Sequence, residues 1–198
     1  YWYGYEWTKH LSGNTGQSTL NNNSSSNYAH SNTDPRYYNE SYPGYGVSNP
    51  ATHTSCKDLP NANEMSWYCI YGDPRWDEDE LWTTMGHLHQ GGMWFKKKYV
   101  LQAENHYNTE ISADGSTDLR TTYKNYVNSN TSINNSGLPS AADANKYFYL
   151  PTLGYYGSGR LNEVGRNGYY WSSSAYPRGS TTAYFLGFYR SAVGVNAD

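Results

Sequence analysis

The chain is short of the residues from which most cores and helices are built. Only 36% of its 198 residues are hydrophobic and 16% are charged. No run of about 18 apolar residues occurs, which excludes a helical membrane span, and the mean hydropathy of −0.90 agrees. Basic charge is scarce as well. Fourteen Lys and Arg against 17 Asp and Glu leave a net charge of −3 and a pI near 6.1, so the field that phosphate backbones need is missing and nucleic acid is not expected as a partner. Two cysteines, Cys56 and Cys69, are too few for a disulfide framework in a chain of this size, and a single bridge between them stays an open alternative. Neither an initiator Met nor a signal-like apolar segment precedes Tyr1-Trp2-Tyr3, so the chain reads as part of a longer precursor.

What the chain has instead is aromatic and small polar residues. Aromatics make up 17%, and Tyr, Ser, Asn and Gly together supply 85 of 198 residues. A core built on aromatics and an absence of long helices follow, because the Leu, Ala, Glu and Lys that favour helices are crowded out. The same four residue types dominate antibody-like binding surfaces, where Tyr gives rigid contact area and Ser, Gly and Asn give adaptable hydrogen bonds. Length fits a single domain over residues 1–198.

Along the chain, Tyr1 to Leu11 alternate aromatics around Gly4 and Glu6 and read as a core strand. Residues 12–54 carry no sustained period and read as a long irregular polar region. Asn61 and Glu64 form a capping-box pair that predicts a helix with Met65, Tyr68 and Cys69 on one face, stopped by Gly72 and Pro74. Residues 73–92 read as a structured loop anchored by Trp76 and Trp82 and ending in a Gly91-Gly92 turn. Met93 to Leu101 read as a strand with an exposed Lys middle, and Thr117 to Tyr126 as a short helix. Near the end, Gly168–Ser172, Ala183–Phe188 and Ala192–Val195 read as short strands. Tyr184, Leu186, Phe188, Val193 and Val195 alternate with Phe185, Gly187, Tyr189 and Gly194, a period of two.

Groups that could carry chemistry are sparse. His87 and His89 would share one strand face, yet no third ligand is spaced to complete a metal site. The acidic run Asp77 to Glu80 and the turn Asp114 to Asp118 offer oxygens but do not match the twelve-residue calcium loop, and read as solvated surface. Ser172-Ser173-Ser174 lacks the Gly-x-Ser-x-Gly elbow of a nucleophile. Gly154 to Gly159 has spaced glycines without a following helix, and reads as a loop rather than a phosphate cradle. No catalytic residue, metal or organic cofactor is therefore expected.

Phe148-Tyr149-Leu150-Pro151, Gly168 to Pro177 and Ala183 to Phe188 together resemble the C-terminal half of C-type-lectin-fold proteins of gut Bacteroidales. Leu59 to Met65 and Gly91 to Lys98 resemble upstream pieces of the same group. Within it, the similarity is to variable proteins of diversity-generating retroelements, whose adenine-directed mutation cannot turn an Asn codon into Lys, Glu, Gln, Met or Trp. Residues 155–198 hold two of those types, Glu163 and Trp171, while residues 59–102 hold fifteen. Residues 11–54 hold only Gln17 and Glu40, so depletion alone is not diagnostic.

The resemblance implies an α+β, C-type-lectin-like fold, also that of formylglycine-generating enzymes, with a short mixed sheet, one or two helices and long loops. It assigns Leu161, Val164, Gly165, Gly168 to Pro177, Ala183, Tyr184, Leu186, Phe188, Val193 and Val195 to a buried framework. It assigns ligand contact within residues 155–198 to Gly157, Ser158, Arg160, Asn162, Arg166, Asn167, Arg178, Gly179, Ser180, Thr181, Thr182, Phe185, Gly187, Tyr189, Arg190, Ser191, Ala192, Gly194 and Asn196. In the family a closing strand usually follows this segment, and if it is absent after Asp198 an unpaired sheet edge is expected. The implied function is an adhesin or receptor-binding domain for a protein or glycan on another cell, at the cell surface on a pilus tip or lipoprotein. A prophage tail adhesin, an enzyme on the same fold and a structural surface module are the alternatives.

Overall fold

The computed structural model describes residues 58–84, 87–129, 133–138, 140–157, 160–178 and 182–197. The expected N-terminal strand, the polar region 12–54 and Cys56 lie outside them. The described residues form an α+β fold in which two antiparallel sheets and one helix enclose an aromatic core.

Helix α1 (Ala62–Tyr71) starts where the capping box places it. The Glu64 N–H donates to Asn61 Oδ1 at 2.9 Å, and the Asn61 N–H donates to Glu64 Oε2 at 2.8 Å, so two orphan donors are met at the helix start. A third, the Ala62 N–H, donates to Ser174 Oγ at 3.0 Å. The helix is buried nearly all round, not on one stripe: Asn63, Ser66 and Trp67 are covered along with Met65, Tyr68 and Cys69. Its two buried polar residues hold the following Asn-rich text in place. Asn63 accepts from the Leu119 N–H and donates to Asp118 Oδ1, while Ser66 Oγ accepts from the Ala113 N–H. That loop is ordered by side chains: Asn108 and Asp114 each accept two backbone N–H groups just downstream.

After Pro74 the chain forms a hairpin, β1 (Arg75–Thr84) with β2 (His87–Lys96), where sequence reading expected a loop. The acidic run is the bulge of this hairpin, between Asp77 and Leu81. Asp77 holds the bulge by accepting from the Asp79 and Glu80 N–H groups and from Trp94 Nε1, which local sequence gives no means of foreseeing. Gly91-Gly92 lies inside β2 and is no turn. The Lys-rich stretch is not one strand either, since β2 stops at Lys96 and α2 (Lys98–Ala103) follows. The helix expected over Thr117–Tyr126 is a single turn at Asp118–Thr122. β-Branched Thr121-Thr122 and Asn125 favour leaving the helix, and the chain extends into β3 (Tyr126–Ser129).

A 3₁₀ turn (Ala144–Lys146) leads into β4 (Tyr147–Pro151), which pairs with β2 to complete the order β1-β2-β4. The hairpin of β5 (Tyr155–Gly157) and β6 (Arg160–Asn162) stands where the glycine-spaced loop was expected. β7 (Gly168–Ala175), β8 (Ala183–Tyr189) and β9 (Ala192–Ala197) join β3 in the order β3-β9-β8-β7. Among the described residues all named strand pairs are antiparallel, so the sheets are not mixed there, and the parallel contact is an isolated bridge, Arg75 to Asn134. β9 is paired on both sides, so the expected open edge does not fall on the terminal segment. Among the described residues the edges of this sheet are β3 and β7.

The alternation read from β8 is what the structure shows. Tyr184, Leu186 and Phe188 are buried, together with Val193 and Val195 of β9, against Met65, Tyr68 and Cys69 of α1. Phe188 packs within 5.9 Å of both Tyr170 and Phe95, and Phe95 and Tyr68 lie 5.9 and 5.4 Å from Phe148, which ties the two sheets into one core.

Burial raises the Cys69 thiol from its ordinary 9.0 to about 12 and the Tyr184 phenol from 10.0 to about 12. Tyr147 rises to about 12 too, by burial and by the Asp73 carboxylate that accepts its proton. These groups release protons in the unfolded chain before they do so in the folded one. The stability they confer is intact below pH 9 and is lost progressively from about 9 to 12. Urea melts from pH 7 to 11 are expected to show a falling midpoint above pH 9; a flat midpoint would remove the linkage.

Candidate ligand-binding face

The face of the four-stranded sheet turned away from α1 is built by the other half of the β-strand period. Three rows cross it in register. Trp171, Phe185 and Asn196 form the first; Tyr169, Gly187, Gly194 and Val127 the second; Tyr189 and Ala192 lie in the third. Trp171 is 55% exposed and Tyr189 50% exposed, whereas Leu186 and Phe188 between them are buried. The register is therefore the one that places Phe185 and Tyr189 outward.

Four rings run together on this face. Tyr155 meets Tyr169 edge-on at 5.3 Å, Tyr169 lies 5.7 Å from Phe185, and Phe185 meets Trp171 edge-on at 5.7 Å. Room for them comes from Gly187 and Gly194, which oppose each other in the middle row. A Cβ on Gly187 would stand 2.8 Å from Phe185 Cε2, and one on Gly194 would stand 2.9 Å from Asn196 Nδ2. Phe185 and Asn196 lean over the two glycines. Asn167 supports the ladder by donating from Nδ2 to the Tyr169 hydroxyl at 3.1 Å, while its carbonyl accepts from the Gly154 N–H.

Several expected contact positions are placed differently. Ala192 and Gly194 are buried: both are small, and Gly194 lies beneath the side chains of Asn196 and Val127. Arg178 is exposed but sits away from Tyr189. Its guanidinium lies over Tyr123, whose ring packs on Tyr176 and through it on Tyr184, at the far end of β8. Thr182 is half-buried in the turn before β8, where its carbonyl accepts from the Tyr176 N–H. Arg190 and half-buried Ser191 form the β8–β9 turn, and Arg190 pairs with Glu78 of the β1 bulge at 3.2 Å. Both partners are more than half exposed, so the pair contributes little to stability. Arg166 projects from the turn Glu163–Asn167, half-buried Asn162 ends β6, and Gly157 opposes Arg160 at the hairpin tip. Ser158, Gly179, Ser180 and Thr181 lie outside the described residues, as does the Arg160 side chain.

Sequence reasoning missed Tyr155, Tyr169 and Trp171. Its motif places Trp171 in the buried framework, yet it is two residues from Tyr169 and directly opposite Phe185, so the strand period alone turns it outward. Ser172-Ser173-Ser174 is buried and structural. Ser174 Oγ meets the start of α1, the Ser173 N–H donates to the Pro60 carbonyl, and Ser172 Oγ accepts from the Ser174 N–H. His89 is buried and stacks on Trp82 at 4.7 Å, and the Asp114 carboxyl is held well below its usual range by Lys124 and its own turn. Among the described residues no group of three or more His, Cys, Asp or Glu could hold a metal ion, and no helix is long and apolar enough to cross a membrane. Comparison with known proteins finds no matching family model, no matching curated protein and no matching solved structure.

Proposed function

We infer that this domain is a binding module of C-type-lectin-like architecture, displayed at a cell surface, whose outward sheet face recognises a protein or glycan on another cell. The observation that carries this reading is the linked aromatic face. Trp171, Phe185, Tyr169 and Tyr155 present a continuous π surface, with Tyr189 and Arg190 at its border. Large exposed rings on a sheet gain only a small cross-strand stabilisation and are an aggregation liability unless they meet a partner. Trp, Tyr and Arg are also the residues in which binding energy concentrates. The buried half of each strand holds the backbone rigid while the exposed half is free to differ, which suits a scaffold with a replaceable reading surface.

The test is a protein and glycan array probed with the domain, followed by Tyr189→Ala, Arg190→Ala and Trp171→Ala against the ligand so found. Each substitution is expected to weaken binding by about 1–3 kcal/mol with an unchanged melting temperature, since none of the three is buried. Binding that survives all three substitutions would overturn the assignment of the face.

A further inference from the structure

A cleft lies on the other sheet, at the end where β1 begins and β2 ends. Arg75, Lys96 and Tyr147 stand there on the side away from the core, since Trp76, Met93, Phe95 and Phe148 take the inner positions. They floor this cleft of about 470 Å³, walled by Tyr99, Val100, Ala103 and Glu104 of α2 and its end, and by Asp143 and Lys146 of the 3₁₀ turn. The Lys97 N–H bonded to the Lys146 carbonyl and the Tyr99 hydroxyl bonded to the Asn145 carbonyl hold the two walls together.

Arg75 is the unusual member. Its side chain is only 16% exposed, yet it makes a single ion-pair contact, Nε to Asp73 Oδ2 at 2.9 Å. The Tyr147 hydroxyl beside it gives its proton to the same Asp73 oxygen, and the Tyr147 ring lies 5.8 Å from the guanidinium carbon. The Tyr147 hydroxyl also lies against the guanidinium, while no carboxylate or carbonyl among the described residues bonds Nη1 or Nη2. The other two cations are committed: Lys96 spans both oxygens of Glu104, and Lys146 pairs with Asp143 at 2.7 Å. A guanidinium is a planar fork matched to an oxyanion with two oxygens, and fixing it in advance lowers the entropy lost on binding.

We propose that this cleft is a binding site for a monocarboxylate with an apolar body, the carboxylate seated on the Nη edge of Arg75 and the body against Tyr99, Val100 and Ala103. The charge balance selects one negative charge over two. Each cation is matched by one carboxylate, Arg75 by Asp73, Lys96 by Glu104 and Lys146 by Asp143, so the cleft has no spare positive charge and a dianion would meet more repulsion from Glu104 and Asp143 than a monoanion. The site is distinct from the aromatic face and does not depend on that reading.

The probe is 3-phenylpropionate, titrated into the isotopically labelled domain while the Arg Nε–Hε and backbone signals are followed by NMR, with 3-phenylpropionamide and inorganic phosphate as parallel arms. Saturable shifts confined to the cleft are expected with the acid. The amide and phosphate are expected to bind at least tenfold more weakly. Arg75→Lys, which keeps the charge but loses the fork, is expected to weaken the acid at least tenfold. Ala103→Glu, an exposed position that puts a carboxylate on the wall without touching the core, should do the same, while Tyr189→Ala leaves it unchanged. Equal shifts from acid and amide, tighter binding of phosphate, or undiminished affinity in Arg75→Lys and Ala103→Glu would each overturn the site.

Discussion

Phe188→Ala is expected to destabilise the domain by about 3–5 kcal/mol, the cost of removing a well-packed aromatic side chain and leaving a cavity that neighbours fill only in part. Phe188 is buried where three elements converge: its ring packs against Tyr170 of β7 and Phe95 of β2, and it covers Gly168, whose missing side chain is the space the ring occupies. None of these neighbours can follow the lost ring without breaking strand pairing, which puts the expected value at the upper end. Chemical denaturation checks it, with Tyr189→Ala, one residue along and exposed, as the control expected to stay within about 0.5 kcal/mol. A loss below about 1.5 kcal/mol would mean that the two sheets do not share this core.

Gly154→Ala is expected to cost about 2–4 kcal/mol through strain and overlap together. Gly154 has φ +67, and a Cβ there would overlap the Asn162 carbonyl oxygen and stand 2.7 Å from the Val164 nitrogen, both backbone atoms that cannot swing aside. Because the Gly154 N–H also donates to Asn167, the substitution would shift the hairpin that carries Tyr155 and the turn that supports Tyr169. Gly115 separates the two causes. It has φ +75 and open space around its Cβ position, so Gly115→Ala is expected to cost only about 1 kcal/mol, the strain alone. Denaturation midpoints measure both, and equal costs at the two positions would show that the overlap is relieved.

Much of the helix and of β8 was legible because their signals are local. A capping box needs only Asn61 and Glu64, three residues apart, and an alternating strand shows its buried half within seven residues. The β1–β2 hairpin was not legible. Asp77 to Glu80 have poor strand propensity, and what holds them is a bulge whose hydrogen bonds reach Trp94 on the opposite strand, seventeen residues away. Residues 117–126 failed as a helix for a related reason, since Asp118 is committed to Asn63 and Arg120 and the chain is then drawn into pairing with β9.

For the candidate face, the period of two was sufficient for Phe185 and Tyr189, and it would have been sufficient for Trp171 had motif likeness not been placed above it. Ala192, Gly194 and Arg178 needed more. Their exposure depends on which strands flank β9 and on where the β7–β8 connection folds back, facts of strand order that no stretch of residues contains.

The sequence alone determined that the core is aromatic, that a capped helix begins at Asn61, that the last strands turn one set of residues inward, and that no apolar run is long enough for a membrane-crossing helix. Each of these follows from composition or from spacings within a few residues. The tertiary structure alone decided the strand order β3-β9-β8-β7, the union of four rings from three strands into one surface, and the partly unfilled guanidinium of Arg75 in its cleft. These depend on contacts between residues distant in the chain, Tyr155 with Tyr169 fourteen positions on and Arg75 with Tyr147 seventy-two positions on, and side chains so separated become neighbours only when the sheets pack.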